Sequence, residues 1–155
     1  MTFDFGWLGP LYILAVAWPL TKIDIRERRL PNRLTLPAFP VTLLGQAIAV
    51  ALGADVWLLL MALLAGIIAF SACLALHRYA GLGMGDVKLI AAMSLALAWF
   101  SPLLPAIALL LGFIIAGGVS VVMVALRKTN MGSSIALGPY LLVGFALSLI
   151  VQGWS

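Results

Sequence analysis

The sequence predicts an all-α polytopic membrane protein, a single bundle of about six transmembrane helices. Three observations carry that prediction. Hydrophobic residues fill 65% of the 155 positions and charged residues only 9%, with a mean hydropathy of +1.20. A water-soluble domain of this size has too little interior to hide so much apolar surface. Apolar runs near the roughly 20 residues that a helix needs to cross hydrocarbon recur along the whole chain. Finally, the basic residues occupy only alternate connections between those runs.

The expected spans are Gly6–Ile23, Leu34–Leu52, Val56–Leu76, Met84–Phe100, Pro102–Leu126 and Ile135–Trp154. The first is preceded by Asp4 and followed by positive residues, which is the reverse of a cleavable secretory signal. It is read as a retained helix with its N-terminus outside. Short connections and the absence of a low-complexity linker suggest one domain over residues 1–155.

Charge placement gives the expected topology. Lys22, Arg26, Arg28, Arg29 and Arg33 surround the first connection. Arg78 and Lys88 flank the third, and Arg127 and Lys128 lie in the fifth. The second and fourth connections carry no lysine or arginine. Under the positive-inside rule the basic side is the cytoplasm, so both termini are expected outside. Trp7, Trp57, Trp99 and Trp154 fall at the expected outer ends, as an interfacial belt requires. Orientation thus accounts for the net charge of +4, and no nucleic-acid partner is implied; the expected partner surface is the lipid bilayer of the inner (plasma) membrane.

One cysteine, Cys73, and one histidine, His77, exclude an internal disulfide and a cysteine- or histidine-rich metal site. Gly112, Gly117 and Gly118 permit close helix contact in the fifth span.

Five acidic residues remain: Asp4, Glu27, Asp55, Asp24 and Asp86. Asp4 and Asp55 fall on the expected outer, solvated side, and Glu27 sits among arginines as a local ion-pair partner worth little. Asp24 follows the first span directly, and Asp86 begins the fourth within Gly81-Leu82-Gly83-Met84-Gly85-Asp86. In the six-helix alternation both reach the same membrane edge. An ionisable group there is expensive unless paired or functional. Two facing carboxylates share a proton, so the ionised member can activate water while the protonated member polarises a peptide carbonyl. Helix dipoles assign the resting negative charge to Asp86, at a helix N-terminus, and the proton to Asp24, at a C-terminus.

The neighbours have simpler readings beside their functional ones. Gly83 and Gly85 permit close approach of an extended substrate backbone, or merely start a helix. Pro31 and Asn32 begin the second helix, with Asn32 able to cap it; substrate contact is the alternative. Lys88 is an interfacial anchor or a charge biasing the acids. Gly138 and Pro139 open the last span or support a cleft.

Three segments together resemble the type IV prepilin peptidase family. They are Asp24-Ile25-Arg26-Glu27-Arg28-Arg29-Leu30-Pro31-Asn32, Gly83-Met84-Gly85-Asp86-Val87-Lys88-Leu89 and Ala136-Leu137-Gly138-Pro139-Tyr140. They occur in the family's order and cover nearly the whole chain. The resemblance implies an intramembrane Gly-x-Gly-Asp aspartyl endopeptidase with catalytic Asp24 and Asp86, working without metal or organic cofactor. Its implied substrates are precursors of type IV pilins, pseudopilins or archaellins. These carry a short basic leader that is cut at the cytoplasmic face, after a glycine and just before a hydrophobic helix. Bifunctional members add an N-terminal region with two Cys-x-x-Cys pairs and methylate the new N-terminus. This chain lacks those cysteines, so methyltransferase activity is not expected. A non-catalytic assembly factor and a small proton-coupled transporter are the rival readings.

Overall fold

A computed structural model describes residues 4–126 and 136–153. The described residues form helices, and the connections described in full are short. After a 3₁₀ turn at Phe5–Trp7 come α1 (Leu8–Glu27), α2 (Asn32–Thr35), α3 (Ala38–Ala51), α4 (Val56–Ala80), α5 (Met84–Leu97), α6 (Leu104–Ala125) and α7 (Gly138–Gln152). Counting α2 and α3 as one interrupted leg, this is the expected all-α bundle of six legs. Four legs are long and apolar enough to cross a membrane: Phe5–Glu27, Asn32–Ala51, Val56–Ala80 and Leu104–Ala125. Arg127, Lys128, Ile135 and Trp154, which entered the topology and span expectations, lie outside the described residues.

Several boundaries differ from those expected by a few residues, and three local differences bear on the site. Helix α1 runs past Ile23 to Glu27, so Asp24 sits inside its last turn. It ends at Arg28, which adopts the left-handed conformation (φ 51°) and returns its N–H to the Asp24 carbonyl. A non-glycine residue holds that conformation at a cost of about 1 kcal/mol, so surrounding contacts must fix the turn. The second leg is broken at Leu36-Pro37, because Pro37 has no N–H to continue the α2 ladder. Asn32 is not the cap of that leg. It is already the first residue of α2, Pro31 occupies the cap position, and the Asn32 side chain is engaged elsewhere.

Helix α5 is the axis of the bundle. Val87 and every residue from Leu89 to Leu97 are buried. Around it stand α4, α3, α1, α7 and α6, each packed on the next in that order. Small residues set these approaches, as expected where lipid is as apolar as the core and packing must hold helices together. Any Cβ on Gly144 would strike the Ala108 carbonyl, and one on Gly112 would lie 3.2 Å from the Leu141 Cα, so α6 and α7 meet almost backbone to backbone. Gly117 and Gly118 make no such contact. A buried polar bond, Gln46 Nε2 to the Leu95 carbonyl at 2.9 Å, ties α3 to α5.

The two ends of the bundle differ. At one end the Trp7 ring lies 4.7 Å from that of Phe100, and Gly6 abuts Trp99. Asp55 caps α4 there, accepting the Trp57 N–H. The opposite end gathers the α1–α2 turn, the α4–α5 turn and the start of α7. That end also holds Arg26, Arg28, Arg29, Arg33, Arg78 and Lys88. Gly81, at φ +74°, closes α4 there in a conformation that glycine adopts without strain.

Candidate active site

At the basic end, one cavity of about 390 Å³ is lined by both expected aspartates. Asp24 comes from the last turn of α1 and Asp86 from the first turn of α5. Residues far apart in sequence meet here because α1 packs directly on α5. The remaining lining comes from Arg28, Arg29, Leu30 and Asn32 on one side and Gly83, Met84, Gly85 and Lys88 on the other.

Asp24 is buried, with 4% of its surface exposed. Its Oδ2 accepts the Gly138 backbone N–H at 3.0 Å. Gly138 opens α7, followed by Pro139, whose missing N–H costs a helix start nothing. A side chain at Gly138 would crowd the acid, since its Cβ would stand 2.7 Å from Asp24 Oδ2 and 3.2 Å from Leu30 Cδ2. Glycine is therefore the residue that lets the N–H reach the carboxylate.

Asp86 is half-buried, and its Oδ1 is enclosed without a hydrogen-bond partner among the described residues. Its Oδ2 folds back toward Gly83, where a Cβ would come within 2.8 Å. Gly85 has a separate task. A Cβ there would lie 2.7 Å from the Leu30 Cβ and 3.2 Å from the Leu30 N, so Gly85 lets the α1–α2 turn dock on the start of α5. The same docking is clasped from outside by Lys88 Nζ, which donates to Asn32 Oδ1 at 2.9 Å.

Most expected site residues converge here. Asp24, Asp86, Gly83, Gly85, Lys88 and Asn32 line the cavity, and Gly138 touches it through its hydrogen bond. Lys88 lines the same cavity as Asp86, although residues two apart on a helix leave it in different directions. Pro31 and Pro139 are outside the lining and act through the helix starts they define. Sequence reasoning did not assign Arg28, Arg29, Leu30 or Met84 to the cavity. The Arg28-Arg29-Leu30 run between Asp24 and Pro31 was the available signal.

The arrangement offers two carboxylates lining one cavity roomy enough for water and a stretch of peptide, flanked by cations and by Gly83 and Gly85. Such a pair can hold a proton and a water molecule against an extended peptide.

Comparison with known proteins places the chain in a family. The type IV leader peptidase family matches residues 11–121, which include both aspartates. A prepilin leader peptidase/N-methyltransferase of Pectobacterium carotovorum subsp. carotovorum is 30% identical over 164 residues, covering 95% of this chain and 52% of that protein. Proteins of the same name from Aeromonas hydrophila and Aeromonas salmonicida (strain A449) are each 33% identical, covering 97% of this chain and 52% of theirs. The chain thus spans about half the length of the curated relatives it matches. No solved structure matches it. With the family matched across most of its length, this chain belongs to the type IV leader peptidase family.

Proposed function

We propose that this chain is a membrane aspartyl endopeptidase that removes the short basic leader from type IV prepilin, pseudopilin or archaellin precursors, with Asp24 and Asp86 as its catalytic dyad. The observation that carries this reading is the single cavity lined by both carboxylates. The relatives' names, prepilin leader peptidase/N-methyltransferase, support the prepilin part of that substrate class.

In the proposed reaction the ionised aspartate takes a proton from water as the water oxygen adds to the scissile carbonyl. The protonated aspartate donates to the carbonyl oxygen as charge develops on it. The tetrahedral adduct then collapses. A proton passes to the amide nitrogen, the C–N bond breaks, and the leader leaves with a new carboxyl group while the mature chain keeps a free amine.

The hydrogen bonds favour a division of labour opposite to the one that helix dipoles suggest. A helix end contributes roughly 0.3–1 kcal/mol toward a favoured charge. A hydrogen bond to a charged group contributes about 1.5–3 kcal/mol. Asp24 holds the Gly138 N–H and suits the anion, while Asp86, with an enclosed and unpartnered Oδ1, suits the neutral acid. The pair titrates as a unit, so this is a statement about the favoured microstate.

The described basic residues crowd the end that holds the acids, which under the positive-inside rule favours a cytoplasmic cavity in the inner membrane. That is the side on which a precursor's leader waits. The proposal covers proteolysis alone and includes no methyl transfer.

Co-expression with a prepilin precursor, read as a gel shift, tests it. Asp24→Asn and Asp86→Asn are each expected to abolish cleavage at normal protein level. Retained cleavage in either variant overturns the dyad, and ion flux without cleavage would favour a transporter instead.

A further inference from the structure

The ring of helices around α5 is incomplete. Packing passes from α4 to α3, α1, α7 and α6, but no packed interface joins α6 back to α4 among the described residues. Helices of similar width leave room for about six neighbours around one axis, and α5 has five legs around it among the described residues, with α2 and α3 counted as one.

An apolar groove of about 460 Å³ fills the missing position. Helix α4 supplies one wall through Ala65, Ala69 and Cys73, and α6 supplies the other through Ala106, Leu109 and Phe113. Ser94 of α5 lies at its floor. The α4 wall runs from Met61 to Leu76, or about 22 Å at 1.5 Å per residue, which is most of the hydrocarbon thickness. Its alanines recur at the three- and four-residue steps that let another helix approach closely. Gly117 extends the α6 row beyond Phe113, and a Cβ there would meet nothing within 4 Å.

The groove leads toward the acids. Asp86 lies two turns before Ser94 on one i, i+4 row of α5, and the α4 wall reaches Leu76, four residues from the Ala80 end of α4 at the end of the bundle that holds the acids. No lysine, arginine or tryptophan lines the groove, so a lipid headgroup would find no partner there.

We propose that this α4–α6 groove receives the transmembrane helix of the precursor as the sixth neighbour of α5. The proposal rests on the peptidase reading, in which the cut falls just before a hydrophobic helix. Seating that helix between α4 and α6 brings its N-terminal end to Asp86. The leader then enters the acidic cavity while the helix stays in an apolar slot of matching length.

Cys73 is the chain's one cysteine and serves as the probe. The full chain bearing Asp86→Asn is co-expressed with a prepilin precursor carrying single cysteines along its hydrophobic helix, and the membranes are oxidised. Disulfides to Cys73 are expected at helix positions three or four apart, and are lost in Cys73→Ser. No cross-link at any position, or Cys73–Cys73 dimers alone, would overturn the proposal; the dimers would make a second copy the occupant. As an independent measurement, Ala69→Trp and Ala106→Trp should lower cleavage of the intact precursor, relative to a soluble peptide containing only the leader and the next few residues, by more than about tenfold. Equal effects on both substrates would overturn it. A wild-type chain that cross-links but never cuts would refute the peptidase reading and leave the groove standing, so the two fail separately.

Discussion

Gly138 donates its backbone N–H to Asp24 Oδ2 at 3.0 Å, linking α7 to α1 across 114 positions of sequence. The contact exists because residue 138 has no side chain. A methyl group there would sit 2.7 Å from the carboxylate oxygen it serves. The same glycine thus fixes the orientation of one acid and closes the bundle over it.

Gly138→Ala therefore displaces Asp24 while leaving its chemistry intact. Cleavage should fall by roughly 10- to 100-fold, as expected for a misplacement near 1 Å, with the protein still inserted and folded. A kcat measurement on membranes at matched protein level checks this, and wild-type turnover would refute it.

Replacing either acid goes further. General acid–base catalysis contributes about 10²–10⁴-fold per group, so Asp24→Asn and Asp86→Asn should each fall at least that far. If the proposed dyad acts as a unit, the double variant should be little worse than either single one. Additive losses would argue for separate roles.

Shared use of one proton has a signature in pH. Cleavage should decline on the acid side, where both carboxylates are protonated, and on the alkaline side, where both are ionised. A rate profile recorded from acid to alkaline pH on intact membranes reads this. A single sigmoid would show that only one acid titrates in the reaction.

Gly81, which closes α4, and Gly85, at the start of α5, should respond differently to alanine. At Gly85 the new methyl group meets Leu30 side chain and backbone, which cannot both retreat. Overpacking of that kind costs about 1–3 kcal/mol, and activity should drop with stability. At Gly81 there is open space but a φ of +74°, so the loss is backbone strain of about 1 kcal/mol. Thermal unfolding in detergent should rank Gly85→Ala below Gly81→Ala.

The Lys88–Asn32 bond is exposed and clasps the α1–α2 turn to α5. A double-mutant cycle with Lys88→Met and Asn32→Ala should give a coupling near 1 kcal/mol or less. Each single change should slow cleavage only a few-fold, through a loosened Asp24–Asp86 geometry. A loss as large as that of Asp86→Asn would mean that Lys88 acts on the reaction directly.

Much of this was legible in the chain. Hydropathy acts on each segment by itself, so six apolar legs with short turns could be read without knowing their neighbours. Asp24 and Asp86 stood out because acids are so rare here that each needs a reason. The alternation of basic connections predicted that both acids would reach the same end. Asn32 was misread as a cap because its side chain has two possible partners, a nearby backbone N–H and Lys88, and only the second lies across the fold.

The sequence by itself determined the helical class, the legs of the bundle and the identity of the two acids, since each follows from local composition against a fixed bilayer thickness. Only the tertiary structure decided that Gly138 holds Asp24, that Gly85 seats Leu30, that α5 is the axis and that its ring stays open between α4 and α6. In lipid both the core face and the outer face of a helix are apolar, so no periodic signal marks which side is buried. Neighbours are chosen by the fit of small residues from distant segments, and that fit appears only when the helices meet.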